Sequence, residues 1–148
     1  MCIRDSPSAV QCIINPLNSA GAIGYVSEIF NPLAILSKCQ QLDIPILAIR
    51  AVQAGALTSS MDRPPHESGF DKTDFDDFDK AAPFRDLAIE WGESPASLAH
   101  RYALSAKGVA SVILGVKNRT ALQECVEAEA KDLLSQSGIK QIENCLRV

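Results

Sequence analysis

A chain of 148 residues, 47% hydrophobic and 22% charged, holds enough apolar material for one globular core or part of one. Its net charge of −4 leaves no diffuse basic surface for nucleic acid or anionic lipid. No apolar run reaches the length of a membrane span, and the opening MCIRDSPS lacks a signal peptide's apolar core, so the expected compartment is the cytoplasm. Five cysteines, Cys2, Cys12, Cys39, Cys125 and Cys145, lie scattered with no CxxC spacing or companion histidine; this fits reduced thiols rather than a disulfide framework or a zinc site.

Residues 1–8 show no periodicity and are expected to form a disordered leader. Ala9 to Asn15 is a buried-strand candidate closed by Pro16, and a polar loop follows through Gly24. Asn31-Pro32 supplies an N-cap and a first helical residue, with Leu33, Leu36 and the Cys39/Gln40 turn along one face. Ile44 to Ile49 is a second strand, running into the small-residue loop Arg50 to Leu57.

From Thr58 to Lys80 periodicity is lost, and the five aspartates of DKTDFDDFDK read as a solvated surface loop, with a role in covering a ligand left open. The stretch lacks the DxDxDG order and closing glutamate of an EF-hand. His66 within it carries no motif. Pro83 to Trp91 places Phe84, Leu87, Ala88 and Trp91 on one helix face. Ser94-Pro95 then caps a second helix with Leu98, Ala99, Tyr102 and Ala103 inward and His100 and Arg101 facing out or sideways.

Val109 to Leu114 has the pattern of a strand covered on both faces. Gly115 ends it, Asn118 is placed to cap a helix, and Ala121, Leu122, Cys125 and Val126 recur along one face of that helix. A final helix carries Ile139, Ile142 and Leu146 on one stripe. Short strands feeding helices in the order β-α-β-α-β-α predict a parallel sheet with right-handed crossovers. The loop after the last strand delivers chain into a helix N-terminus beside Lys117 and Arg119. Amides, dipole and two cations at one place suit an anion, although such cations are commonly just solvated.

Three separated segments, VQCIINPLN, DIPILAIRAVQAGALT and ESPASLAHRYALSAKGVASVILGVKNRTALQEC, resemble the aldo-keto reductases from their sixth strand to the end. The resemblance covers residues 9–148 and implies the C-terminal portion of a (β/α)₈ TIM barrel. The implied activity is NADP(H)-dependent hydride transfer to or from a small carbonyl or alcohol, without a metal. It further implies that Gln11 lies against the nicotinamide, its amide able to donate and accept, and that Arg50 and Val52 meet the pyrophosphate. Ile49 stands where the family usually has a tyrosine that stacks on nicotinamide. Gly115 would open the adenosine-phosphate loop, Lys117, Asn118 and Arg119 would receive the 2′-phosphate, and Glu124 would face the adenine, while Cys125 replaces a usual asparagine. The family's catalytic Asp, Tyr, Lys and His belong to its first four strands, so no residue here takes a catalytic role and the isolated chain is expected to be inactive. The alternative is a non-catalytic nucleotide-binding or assembly subunit.

Overall fold

The computed structural model of the chain describes residues 7–26 and 31–147; most of the expected leader and Cys2 lie outside them. Three parallel strands, β1 (Val10–Ile13), β2 (Ile46–Ile49) and β3 (Val109–Val112), form one open sheet in the order β1-β2-β3. The pairing runs past these bounds, since Ile14 N donates to Ile49 O at 3.2 Å and Ile113 N to Ala48 O at 2.8 Å. Ile46 and Ala48 of the central strand are wholly buried, as a strand flanked on both sides must be.

Six helices accompany the sheet among the described residues: α1 (Pro32–Gln41), α2 (Lys72–Lys80), α3 (Ala82–Glu90), α4 (Pro95–Ser105), α5 (Arg119–Ala130) and α6 (Gln136–Cys145). Four begin at a side-chain cap, with Asn31, Ser94, Asn118 and Ser135 accepting from backbone N–H groups three residues on. One core lies between the sheet and α1, around Cys12, Cys39, Ile44, Ile46 and Ala48. A second joins Leu57, Phe84, Ala88, Leu98 and Ile142, and so ties the loop after β2 to α3, α4 and α6.

Three expectations are corrected. β3 is not covered on both faces: Ala110 and Ser111 are exposed, and Ile113 and Leu114 are 42% and 44% accessible. It is an edge strand, paired among the described residues only with β2. The apolar faces assigned to α1 and α5 hold only in part: Leu36, Cys39 and Cys125 pack inward, while Leu33, Leu122 and Val126 lie exposed. Helix α5 meets α4 through Cys125 and Ala128, whose small side chains let the two helices approach.

The largest correction concerns the aspartate-rich run. Thr58 to Phe70 is irregular as expected, but Lys72–Lys80 is helical. Asp71, Asp74 and Asp77 are buried on one side of it at 6%, 4% and 3% exposure. Carboxylates go inside a protein only when partners meet them, and here arginines and amides do.

The Asn118 cap gives a direct check. Its Oδ1 accepts from Ala121 N at 2.9 Å, so Asn118→Ala is expected to cost about 1 kcal/mol of stability, read as a shift of the urea midpoint.

Candidate functional site

The loops leaving the C-terminal ends of the parallel strands meet on one side of the molecule, where open α/β sheets bind their ligands. The loop after β2 and the turn from β3 into α5 enclose a cleft of about 540 Å³, lined by Val52, Ala54, Gly55, Asp62 and Arg63 on one wall and by Gly115, Lys117, Asn118, Thr120 and Glu124 on the other. Five of the eight expected site residues, Val52, Gly115, Lys117, Asn118 and Glu124, thus share one cavity. Gly115 borders open space, since a Cβ there would meet nothing within 4 Å.

The other three lie elsewhere. Gln11 is an exposed residue of β1 facing a separate hollow of about 160 Å³ beside Cys12, Ile35 and Ile49. Arg119 is exposed on the first turn of α5 and does not line the cleft. Arg50 points its guanidinium into a buried network. Its Nη2 donates to Asp74 Oδ1 at 2.9 Å and its Nε to Gln53 Oε1 at 2.9 Å.

Two cleft residues, Asp62 and Arg63, carried no sequence signal. Asp62 pairs with Lys117, and that hydrogen bond is the main cause holding its carboxyl below the ordinary range. Arg63 links the cleft to the network: Nη2 donates to Asp74 Oδ2 at 3.0 Å and Nη1 to Ala54 O at 2.8 Å.

The network is closed on itself. Asp74 Oδ1 also accepts from Ala22 N at 3.0 Å. Gln53, fully buried, donates from Nε2 to Asp77 Oδ2 at 2.9 Å and receives Asn15 Nδ2 at 3.3 Å. Within it the backbone is strained. Arg50, Gln53 and Ala54 hold φ of 55°, 47° and 53°, the left-handed region where a side chain costs about 1–3 kcal/mol per residue unless the surroundings enforce it.

Behind the cleft, His100 corrects another expectation. It is 8% exposed rather than facing solvent, with Nε2 3.1 Å from Cys125 Sγ and Nδ1 buried without a hydrogen-bond partner. Burial pushes the imidazole below and the Cys125 thiol above their ordinary ranges, so both are neutral at pH 7 and the pair is no preformed thiolate nucleophile. Because the folded-state pKa of His100 is depressed, the unfolded chain takes up the proton first as pH falls. Stability contributed by the neutral ring is therefore present above the ordinary imidazole range and lost on acidification below it. Urea midpoints at pH 7.5 and 5.5 are expected to differ less in His100→Asn than in the unaltered chain.

Among the described residues no group of three or more His, Cys, Asp or Glu converges as a metal site, and no helix is long and apolar enough to cross a membrane.

The aldo/keto reductase family model matches residues 4–147. No curated protein matches. Among solved structures, the glycerol dehydrogenase AKR11B4 from Gluconobacter oxydans superposes with a TM-score of 0.66 at 19% identity, over 93% of this chain and 42% of its own. The chain spans less than half of that protein's length, and at this identity the likeness shows the fold: an open three-stranded part of a (β/α)₈ barrel. With the family pattern running through nearly its whole length, and parallel strands feeding capped helices as that pattern requires, the chain belongs to the aldo/keto reductase family.

Proposed function

We propose that this chain supplies the phosphate end of an NADP(H) site to an oxidoreductase that moves a hydride between the cofactor and a small carbonyl or alcohol substrate. The observation that carries the reading is the shared cleft, in which Lys117, the capped N-terminus of α5 and Glu124 face the loop after β2. The donor set suits an anion: an ammonium, the Thr120 hydroxyl and the positive end of a helix 12 residues long.

In this reading Lys117 receives the 2′-phosphate, exchanging Asp62 for it, and Arg119 adds long-range attraction from the rim. Asn118 acts by capping α5 and so fixing the first-turn amides. Glu124 accepts from the adenine amino group, Gly115 leaves room for the ribose phosphate, and Val52 walls the pyrophosphate. Gln11 serves the nicotinamide carboxamide. Arg50, whose guanidinium is held by Asp74 and Gln53, supports the loop rather than the phosphate. The bound nicotinamide supplies the hydride. Protonation of the carbonyl oxygen requires an acid, and none of the residues lining the cleft is placed in that role, so the 148-residue chain by itself should not turn over.

Fluorescence titration of the purified chain with NADPH and NADH tests the reading. NADPH is expected to bind more tightly, and Lys117→Glu to weaken NADPH by about tenfold or more while barely moving NADH. Equal affinities, or no binding at millimolar NADPH, would overturn it. A second reading, a nucleotide-binding subunit without chemistry, is favoured by one observation: Lys117, Asn118 and Glu124 share the cleft, while Gln11, expected at the nicotinamide, faces a separate hollow. Turnover of any carbonyl substrate by the assembled protein carrying this chain would exclude it.

A further inference from the structure

The aspartates of α2 are outside the cleft, yet they hold its floor. Asp74 binds Arg50 through one carboxylate oxygen and Arg63 through the other. Arg63 in turn fastens the Ala54 carbonyl, and Arg50 fastens Gln53. Those two residues, with Arg50, are the three non-glycine positions of the loop after β2 with positive φ, and Val52, Ala54 and Gly55 of the same loop line the cleft. A loop with three side-chain-bearing residues at positive φ persists only where neighbours over-determine it. Here the constraint comes from a helix whose first residue lies nearly twenty residues further along the chain.

We propose that Asp74 is a positioning residue for the cleft: docking of α2 through its buried carboxylate forces the loop after β2 into the strained shape that makes the cofactor wall. The proposal rests on the cofactor reading for its ligand, but not for its geometry. Docking of α2 and binding in the cleft are then linked, and each stabilises the other by the same factor. Asp76 is the natural contrast. It is on the same helix but pairs outward, with Lys72 in the preceding turn.

Hydrogen exchange measured by mass spectrometry on the 148-residue chain decides the matter without a ligand. In Asp74→Asn the amides of residues 50–58 are expected to exchange about tenfold faster or more, while Asp76→Asn leaves them unchanged. Adding Ala54→Gly to Asp74→Asn should slow that exchange again, because glycine accepts positive φ without strain and the loop no longer has to be forced. NADPH affinity should follow the same order, falling in Asp74→Asn and partly recovering in the double variant, which loss of a merely structural contact would not do.

Loop exchange in Asp74→Asn no faster than in Asp76→Asn, or no slowing by Ala54→Gly, would overturn the proposal. Should Asp74→Asn fail to fold, Arg63→Lys keeps a charge beside Asp74 but cannot also reach the Ala54 carbonyl. It should speed exchange at residues 52–56 while α2 stays protected, and unchanged exchange there would equally overturn the idea. Failure of the unaltered chain to bind NADPH would remove the cofactor reading alone, since the exchange pattern stands apart from it.

Discussion

Gly21→Ala is expected to abolish the cooperative melting transition of the chain. Gly21 has φ +57°, and a Cβ built there would overlap Asp74 Oδ1 and stand 2.5 Å from Gln53 Nε2 and 2.6 Å from Arg50 Nη2. None of these atoms can retreat freely, because each is a hydrogen-bonded member of the buried network. The methyl must therefore either push Asp74 off Arg50 or displace the whole turn after β1. Separating a buried carboxylate from its arginine costs about 3–5 kcal/mol, and alanine in the left-handed region adds about 1–3 kcal/mol. Arg50 retains some exposure, with 19% of its side chain accessible, so the lower end of that range is the better guide. Even so, the loss takes most of the stability of a domain near the bottom of the usual range of roughly 5–15 kcal/mol. Gly92→Ala is the control: it also has positive φ, +69°, but nothing lies within 4 Å of the added carbon. It should melt cooperatively, a few degrees lower. Equal behaviour of the two variants by circular dichroism would mean that backbone conformation alone matters at Gly21, and that the network does not hold the turn.

The same network marks the boundary of what could be read from the residues in order. Strands β1 and β2 were legible because isoleucine-rich runs of that length have few alternatives, and helix starts at Asn31, Ser94 and Asn118 were legible because a cap is decided within four residues. The place of Lys117 and Asn118 at a loop that ends in a helix cap follows from the same local logic, whereas Glu124 was singled out by the family resemblance alone. The fate of Asp74 does not. Whether a carboxylate is solvated or buried depends on Arg50 and Arg63, which are 24 and 11 residues away, and no local pattern carries that information. A trace was nevertheless present, since Asp71, Asp74 and Asp77 repeat every three residues and so share one side of a helix. His100 failed for the same reason. Its partner Cys125 lies 25 residues on, across the α4–α5 contact, and small residues on both helices bring them together. Arg50 could be placed by position but its partner could not: its backbone stands at the end of β2 as expected, and its guanidinium pairs with Asp74, 24 residues on.

Phe84→Ala is expected to lower the urea midpoint by more than any other single truncation in the second core. Phe84 is completely buried and belongs to the cluster of Leu57, Ala81, Ala88, Leu98, Ala99 and Ile142. Removing an aromatic ring from such a place costs about 3–5 kcal/mol, partly in lost transfer energy and partly in the cavity left behind. The neighbours are ill suited to fill that cavity. Three of them are alanines, whose Cβ atoms can advance only if α3 and α4 themselves move. Phe84→Leu keeps most of the volume and should cost less than about 1.5 kcal/mol. The pair of variants also reports on the cleft, because Leu57 closes the loop whose earlier residues, Val52 to Gly55, form its wall. If the cleft holds NADPH as proposed, Phe84→Ala should therefore weaken that binding even at temperatures where the chain is still folded, and Phe84→Leu should not. If both variants kept full affinity, the loop after β2 would owe its shape to the aspartates of α2 alone, and the second core would be scaffolding without influence on the site.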